Sequence, residues 1–210
     1  MKPPTASARW PLVAIGLLCF GVAAYAVGMY GFGPGAERLH PEMRAAFERE
    51  ALAIRTHIFA SALALVLGPF QFSTRLRARH PGLHRWIGRI YLGGAVVVGG
   101  LAGLYMSIHA FGGMVAKLGF AGLALGWLYT GTRAYLAARR RDFVAHRRWM
   151  VRNFALTLAA VTLRLYLPPV FIFGLPFAQA YAVIAWACWV PNMMVAEWWL
   201  DRSASRPASA

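Results

Sequence analysis

Outside the two arginine-rich stretches at 68–91 and 133–152, the ionisable side chains that fall inside long apolar stretches of this chain are few: Arg55, His57, His109, Lys117, Arg164 and Glu197. Each costs about 2.5–3.5 kcal/mol near the middle of a bilayer on insertion scales, so each needs a partner, a ligand or a route to water. Two histidines presented from different helices are the donor set of a six-coordinate b-type haem, which makes His57 and His109 the candidate metal ligands. Arg55, Lys117 and Arg164 would suit haem propionates or another anion. His84 and His146, each followed by an arginine, offer a second pair of ring nitrogens. Other chemistry is not signalled: there is no Walker lysine loop, no Gly-x-Ser-x-Gly elbow and no His-Glu-x-x-His pair. Cys19 and Cys188 stand singly in apolar runs and read as packing residues, not as a disulfide or a covalent haem attachment.

The elements that must position these groups are membrane helices. With 59% hydrophobic and 14% charged residues, and a mean hydropathy of +0.50, the chain is too apolar for an ordinary soluble domain. Apolar runs at 10–30, 52–72, 86–109, 114–136, 149–170 and 177–200 each approach the roughly 20 residues that cross ~30 Å of hydrocarbon. The first follows Lys2 and Arg9 and is longer than a cleaved signal's apolar core, so it reads as an uncleaved span. The fifth is expected to stop at Pro168-Pro169, and the sixth to be interrupted at Pro191. Gly93, Gly94, Gly99, Gly100 and Gly103 mark the third helix as a close-packing one. The expected organisation is a first helix and outer loop over 1–50, a five-helix core over 51–200 and a disordered tail over 201–210. A short surface helix from Pro41 is expected inside the polar loop.

Charge sets the orientation. The net charge of +15 could suggest nucleic acid, but twelve of the 22 basic residues are arginines of two stretches, 68–91 and 133–152, that lie between apolar runs. The turns at 110–113 and 171–176 carry no charge. Positive-inside topology accounts for this better than nucleic-acid binding: an all-α bundle of six spans with both termini cytoplasmic. His57, Arg55, His109, Lys117 and Arg164 then fall in the outer half, and His84 and His146 at the inner face. Arg164 lies about 15 residues, or ~22 Å of rise, into its helix and cannot shed its charge. The others have blander readings, as headgroup contacts near span ends for Arg55, His109 and Lys117, and as lipid or carbonyl contacts for His84 and His146. Glu197 reads as an interfacial cap, and His40 and His80 sit in polar loops without an assigned role. His84 and His109 are ~37 Å apart on a continuous helix, more than the ~30 Å core, which counts against a two-haem arrangement.

Two functions follow from different classes. One is haem b binding at His57 and His109, with electron transfer to a redox partner or quinone. The other is a small transporter or binding protein whose outer cationic pocket holds an anionic or amphiphilic ligand through Arg164. A polar path through the inner half is hinted at only by Gln71, Asn153 and Thr157.

A pattern also repeats. Trp86-x-x-Arg89-x-Tyr91 recurs as Trp149-x-x-Arg152-x-Phe154, behind His84-Arg85 and His146-Arg147. Together with His57, Gly68-Pro69-Phe70-Gln71-Phe72, His84-Arg85-Trp86-Ile87-Gly88-Arg89, His146-Arg147-Arg148-Trp149-Met150 and Leu163-Arg164-Leu165, it resembles an uncharacterised family of predicted bacterial membrane proteins, domain of unknown function 2306. The resemblance runs over roughly residues 50 to 200, the scale of one domain. It implies a multi-helix protein of the bacterial cytoplasmic membrane, in contact with lipid, and no established reaction.

Overall fold

The computed structural model of the chain describes residues 10–39 and 41–204, and among them it is helical with no strand. Lys2, Arg9, His40 and the end of the tail, 205–210, lie outside the described residues. Helix α1, Trp10–Ala26, is carried on by a π-helical turn, Val27–Phe32. A 3-10 turn, Pro34–Arg38, leads to α2, Pro41–Arg49, the surface helix expected in the polar loop. Then come α3, Ala51–Gln71, the short α4, Thr74–Arg79, and α5, Pro81–Ile108, which is π-helical over Ile90–Val97. The remainder is α6, Gly113–Arg139, α7, Phe143–Ile172, α8, Phe177–Ala187, and α9, Val190–Ala204.

Among the described residues, four helices are long and apolar enough to cross a membrane: Pro11–Phe32 of the first, then α3, α5 and α7. Large apolar side chains such as Leu17, Leu101, Leu118, Leu125 and Val183 stand exposed along the helices, a surface suited to lipid. Helix α6 is 27 residues long, but its glycines, threonines, tyrosine and Lys117 dilute its hydropathy. The run at 177–200 is not one helix. It is α8 and α9, of 11 and 15 residues, separated at Cys188-Trp189. Pro191 is therefore not the interruption: it occupies the first turn of α9, where a missing N–H goes unnoticed.

The prolines of α7 are a second difference. The helix runs through Pro168 and Pro169 to Ile172 and ends instead on Gly174, whose φ of 59° closes a left-handed cap. Leu175 N donates to Val170 O and Gly174 N to Phe171 O, the crossed pair of bonds that satisfies the last carbonyls. Two prolines so near the end forfeit only backbone donors of the final turns, and the glycine decides the stop.

The two basic turns are also shorter than their composition suggests, because α5 begins at Pro81 and α7 at Phe143, so His84 and His146 already lie in first or second helical turns. In the second turn, Arg141 takes the left-handed position, φ 61°, while Asp142 N reaches Ala137 O to finish α6. The Asp142 carboxylate then accepts from Ala145 N at 2.9 Å and starts α7. One aspartate thus serves both helix ends.

By packing, the chain divides at Gly99-Gly100 into two compact units. In the N-terminal unit, α1 and the π-helical part of α5 both lie on α3, around buried Ala60, Ala64, Leu65, Tyr91, Ala95 and Val96. Gly31 lets the end of α1 meet the Phe59 ring, 3.0 Å from where a Cβ would stand. In the C-terminal unit, α6 packs along the first half of α7 and against α8, and α9 lies on α7. Its core gathers Ala159, Val170, Ile184 and Cys188 with Phe120, Leu163 and Leu167.

Close approach in this second unit depends on α6. A Cβ on Gly119 would stand 2.9 Å from Ala185 O, and one on Gly122 3.4 Å from the Trp189 ring. Of the third-helix glycines, Gly93 meets nothing within 4 Å and Gly94 only Ile90 of its own helix, whereas Gly100 faces Leu128. The small-residue signal was right in kind and lay partly on the wrong helix.

Candidate functional site

An open concavity lies in the C-terminal unit, where α6, α7 and α9 meet. It is a groove of about 370 Å³ lined by Tyr129, Trp149, Leu156, Trp189 and Met193. Its polar element is an ion pair: Arg152 Nε donates to Glu197 Oε1 at 2.6 Å and Nη2 to Oε2 at 2.7 Å. This is the side-on, two-bond fork that a guanidinium makes with a carboxylate. The Arg152 side chain is 16% exposed and that of Glu197 41%, so the glutamate is at the rim. Arg152 also stands 4.7 Å from the Trp149 ring centroid, and Arg133, from α6, stands at the same 4.7 Å from that ring. Arg133 Nη1 donates to Tyr129 Oη at 2.8 Å.

The floor of the groove is locked by a buried polar network. Asn153, with no exposed surface, donates from Nδ2 to Trp127 O at 2.8 Å and to Thr130 Oγ1 at 3.0 Å. Trp127 Nε1 donates to Thr157 Oγ1, and that hydroxyl donates to Asn153 O. A related set ties α7 to the α8–α9 junction, with Asn192 Nδ2 reaching Ala155 O, Thr162 Oγ1 and Cys188 O. Asn153 and Thr157, expected to hint at a polar path, thus knit α6 to α7. Gln71 belongs to the other unit, where its 7% exposed amide has no partner for Nε2.

The histidines and cations singled out by depth are placed as follows. His57 is half-buried on α3, with Nδ1 2.8 Å from Gly99 O. A carbonyl only accepts, so Nδ1 carries the proton and Nε2 is the basic nitrogen, 3.3 Å from Ser61 Oγ. His146 repeats the arrangement in the second unit, with Nδ1 2.9 Å from Ala134 O. His84 is half-buried one turn before Gly88, whose missing side chain leaves room for the Gln71 amide: a Cβ there would be 3.1 Å from Gln71 Oε1. His109 is exposed, its ring 5.3 Å from that of Tyr105. Arg55 is exposed and Lys117 half-buried. Arg164 is half-buried, and its Nη1 turns back to Ala160 O on its own helix at 2.9 Å. Among the described residues no three His, Cys, Asp or Glu side chains gather as a metal site.

Depth alone did not select Arg152, and Glu197 was read as a cap with no named partner. The signal that could have found them was the repeated Trp-x-x-Arg. In both copies the arginine lies over the tryptophan three residues earlier, Arg89 at 5.2 Å from Trp86 and Arg152 at 4.7 Å from Trp149. Among the described residues, only the second copy has an acid from another helix to complete it.

Residues 54–200 match a family described as "Predicted membrane protein (DUF2306)". Neither the curated proteins nor the solved structures offer a match to this chain.

Proposed function

Starting from the premise that this chain belongs to the DUF2306 family of predicted membrane proteins, we propose that it is an integral protein of the bacterial cytoplasmic membrane that binds an amphiphile in the groove between α6, α7 and α9. The observation that carries this reading is the juxtaposition of the forked Arg152–Glu197 pair with the side chains of Trp149 and Trp189 in one groove. Aromatic and aliphatic walls with one convergent polar pair are what small-molecule sites are built from. In this reading the membrane-crossing runs number six, with α6 and the α8–α9 pair joining the four apolar helices, and both termini are cytoplasmic, as the arginine asymmetry favours. The groove then opens in the inner half of the bilayer, and not at the outer residues singled out by depth. A quinone or a lipid-like molecule would enter laterally, ring or chain first. The test is quenching of tryptophan fluorescence by a nitroxide-labelled alkyl chain in the purified protein. Quenching should fall in Trp149→Phe and in Gly126→Leu, which fills the groove beside Leu156; unchanged quenching in both would remove the groove as the site.

One observation favours haem b as a second reading. Nδ1 of His57 donates to a backbone carbonyl, which fixes the tautomer and leaves Nε2 basic, the second-shell arrangement of metal-ligating histidines. His57 would then hold the iron through Nε2. When bound, haem would supply one-electron transfer to a redox partner or quinone. Protein purified from haem-sufficient cells should show a Soret band that His57→Ala abolishes; a colourless preparation would remove this reading.

A further inference from the structure

The groove carries a statement about the ligand's headgroup that rests on the reading above. We propose that Glu197 is a built-in substitute for the headgroup of the ligand, and that the ligand is a single-chain amphiphile ending in a carboxylate, such as a long-chain fatty acid, which takes the place of Glu197 on Arg152.

The argument starts from the two partners' unequal settings. Arg152 is the inner member, 16% exposed and fixed against the Trp149 ring, while Glu197 is at the rim and 41% exposed. Arg152 presents the Nε–Nη2 edge, which recognises a planar carboxylate by two parallel bonds, and Glu197 occupies that edge with both oxygens. A carboxylate on a ligand has the same shape and charge as the group it would displace. The exchange keeps the arginine paired throughout and frees Glu197 to reach water, which avoids the large cost of a half-buried charge left alone.

The surrounding charge favours one negative group. Arg133 and Arg152 flank Trp149, and Arg148 acts on Glu197 from further off, against the acids Glu197 and Asp201. Size narrows the choice: about 370 Å³ is at the small end of ligand sites, which run from ~300 to 1,000 Å³, and so suits one chain better than two. The lining beside the ion pair includes the apolar side chains of Leu156, Trp189 and Met193.

The experiment titrates the purified full chain, in nanodiscs of zwitterionic lipid, with three probes of equal chain length: a nitroxide-labelled fatty acid, the corresponding alcohol, and a two-chain anionic phospholipid. Tryptophan quenching reads binding, and melting temperature with and without probe controls for folding. In the parent the acid forms one charge-assisted pair while the Glu197 pair is broken, so it should bind only a few-fold tighter than the alcohol. Glu197→Gln should tighten the acid by about tenfold and leave the alcohol unchanged, since the competing carboxylate is gone. Arg152→Lys, which keeps the charge and loses the fork, should weaken the acid alone. Equal binding of acid and alcohol, unmoved by Glu197→Gln, would overturn the headgroup inference and leave the groove reading standing. Equal or tighter binding of the phospholipid would overturn the single-chain carboxylate as ligand. Binding of none of the three would overturn the groove reading itself. Should Glu197→Gln fail to fold, Glu197→Asp retains the charge but falls short of the fork, and it should show the same selective tightening of the acid; no change or weakening there would overturn the exchange.

Discussion

Asn153 is the side chain on which the groove's floor depends. It has no exposed surface and bonds through Nδ2 to Trp127 O and Thr130 Oγ1, while its own carbonyl takes the Thr157 hydroxyl. Replacing it by alanine takes the amide donor from Thr130 Oγ1 and from Trp127 O inside a packed seam, leaving Trp127 O the weaker bond from Thr130 Oγ1 at 3.2 Å. An unmet buried polar group costs about 1–3 kcal/mol. Asn153→Ala should therefore lower the melting temperature of the detergent-solubilised protein clearly, and Thr157→Val, which removes the hydroxyl that ties Trp127, should do so less; equal melting of Asn153→Ala and the parent would show that the network contributes nothing. Asn153 was visible in the sequence as a polar residue in an apolar helix, but that visibility concerned cost only. Whether the cost is met by a ligand path or by neighbouring carbonyls depends on which residues of α6 stand opposite, and that is not encoded in the spacing along α7.

At the scale of an element, α6 is held close to its neighbours by what it lacks. Gly119 admits the Ala185 carbonyl and the Trp186 indole, each 2.9 Å from the site of a missing Cβ. Backbone cannot yield as a flexible side chain can, so Gly119→Ala has to push α8 away or bend it. Overpacking of this kind costs roughly 1–3 kcal/mol. Gly119→Ala is expected to melt measurably below the parent, while Gly93→Ala, where nothing lies within 4 Å, should melt at or slightly above it because alanine favours helix by up to about 1 kcal/mol. A Gly119→Ala variant as stable as Gly93→Ala would mean that α8 does not seat on α6 as described. Composition picks out helices rich in glycine, and which glycine bears a neighbour depends on helix rotation.

At the scale of the whole molecule, the six-span reading rests on charge more than on hydropathy. Among the described residues four helices meet the length and apolarity of a span, whereas α6 and the broken α8–α9 pair owe their place in a six-span reading to the uncharged turns on one side and the arginines on the other. Fusions of a compartment-sensitive reporter at Gly112 and Gly174 should give periplasmic signals, and one at Arg140 a cytoplasmic signal. A cytoplasmic Gly112 would reduce the span count and move the groove to the opposite leaflet, so this measurement also decides from which side a ligand is taken.

The sequence by itself determined the class of the protein, because apolar length and arginine asymmetry are sums over many residues and survive the loss of any one. It determined the existence of the helices around His57, His109, Arg164 and Glu197, and it carried the family's residues from the Gly68-Pro69 run to the Trp149-Met150 pair. It misjudged the ends, since a helix stop is a local contest in which the left-handed Gly174 outweighed two prolines and the Cys188-Trp189 turn preceded the proline expected to make it. Only the tertiary structure decided the pairing of Arg152 with Glu197, which lie 45 residues apart on α7 and α9. The physical reason is that membrane depth depends on position along a helix, which sequence counts directly, whereas partnership depends on rotation about the helix axis and on the neighbour chosen, which only packing supplies.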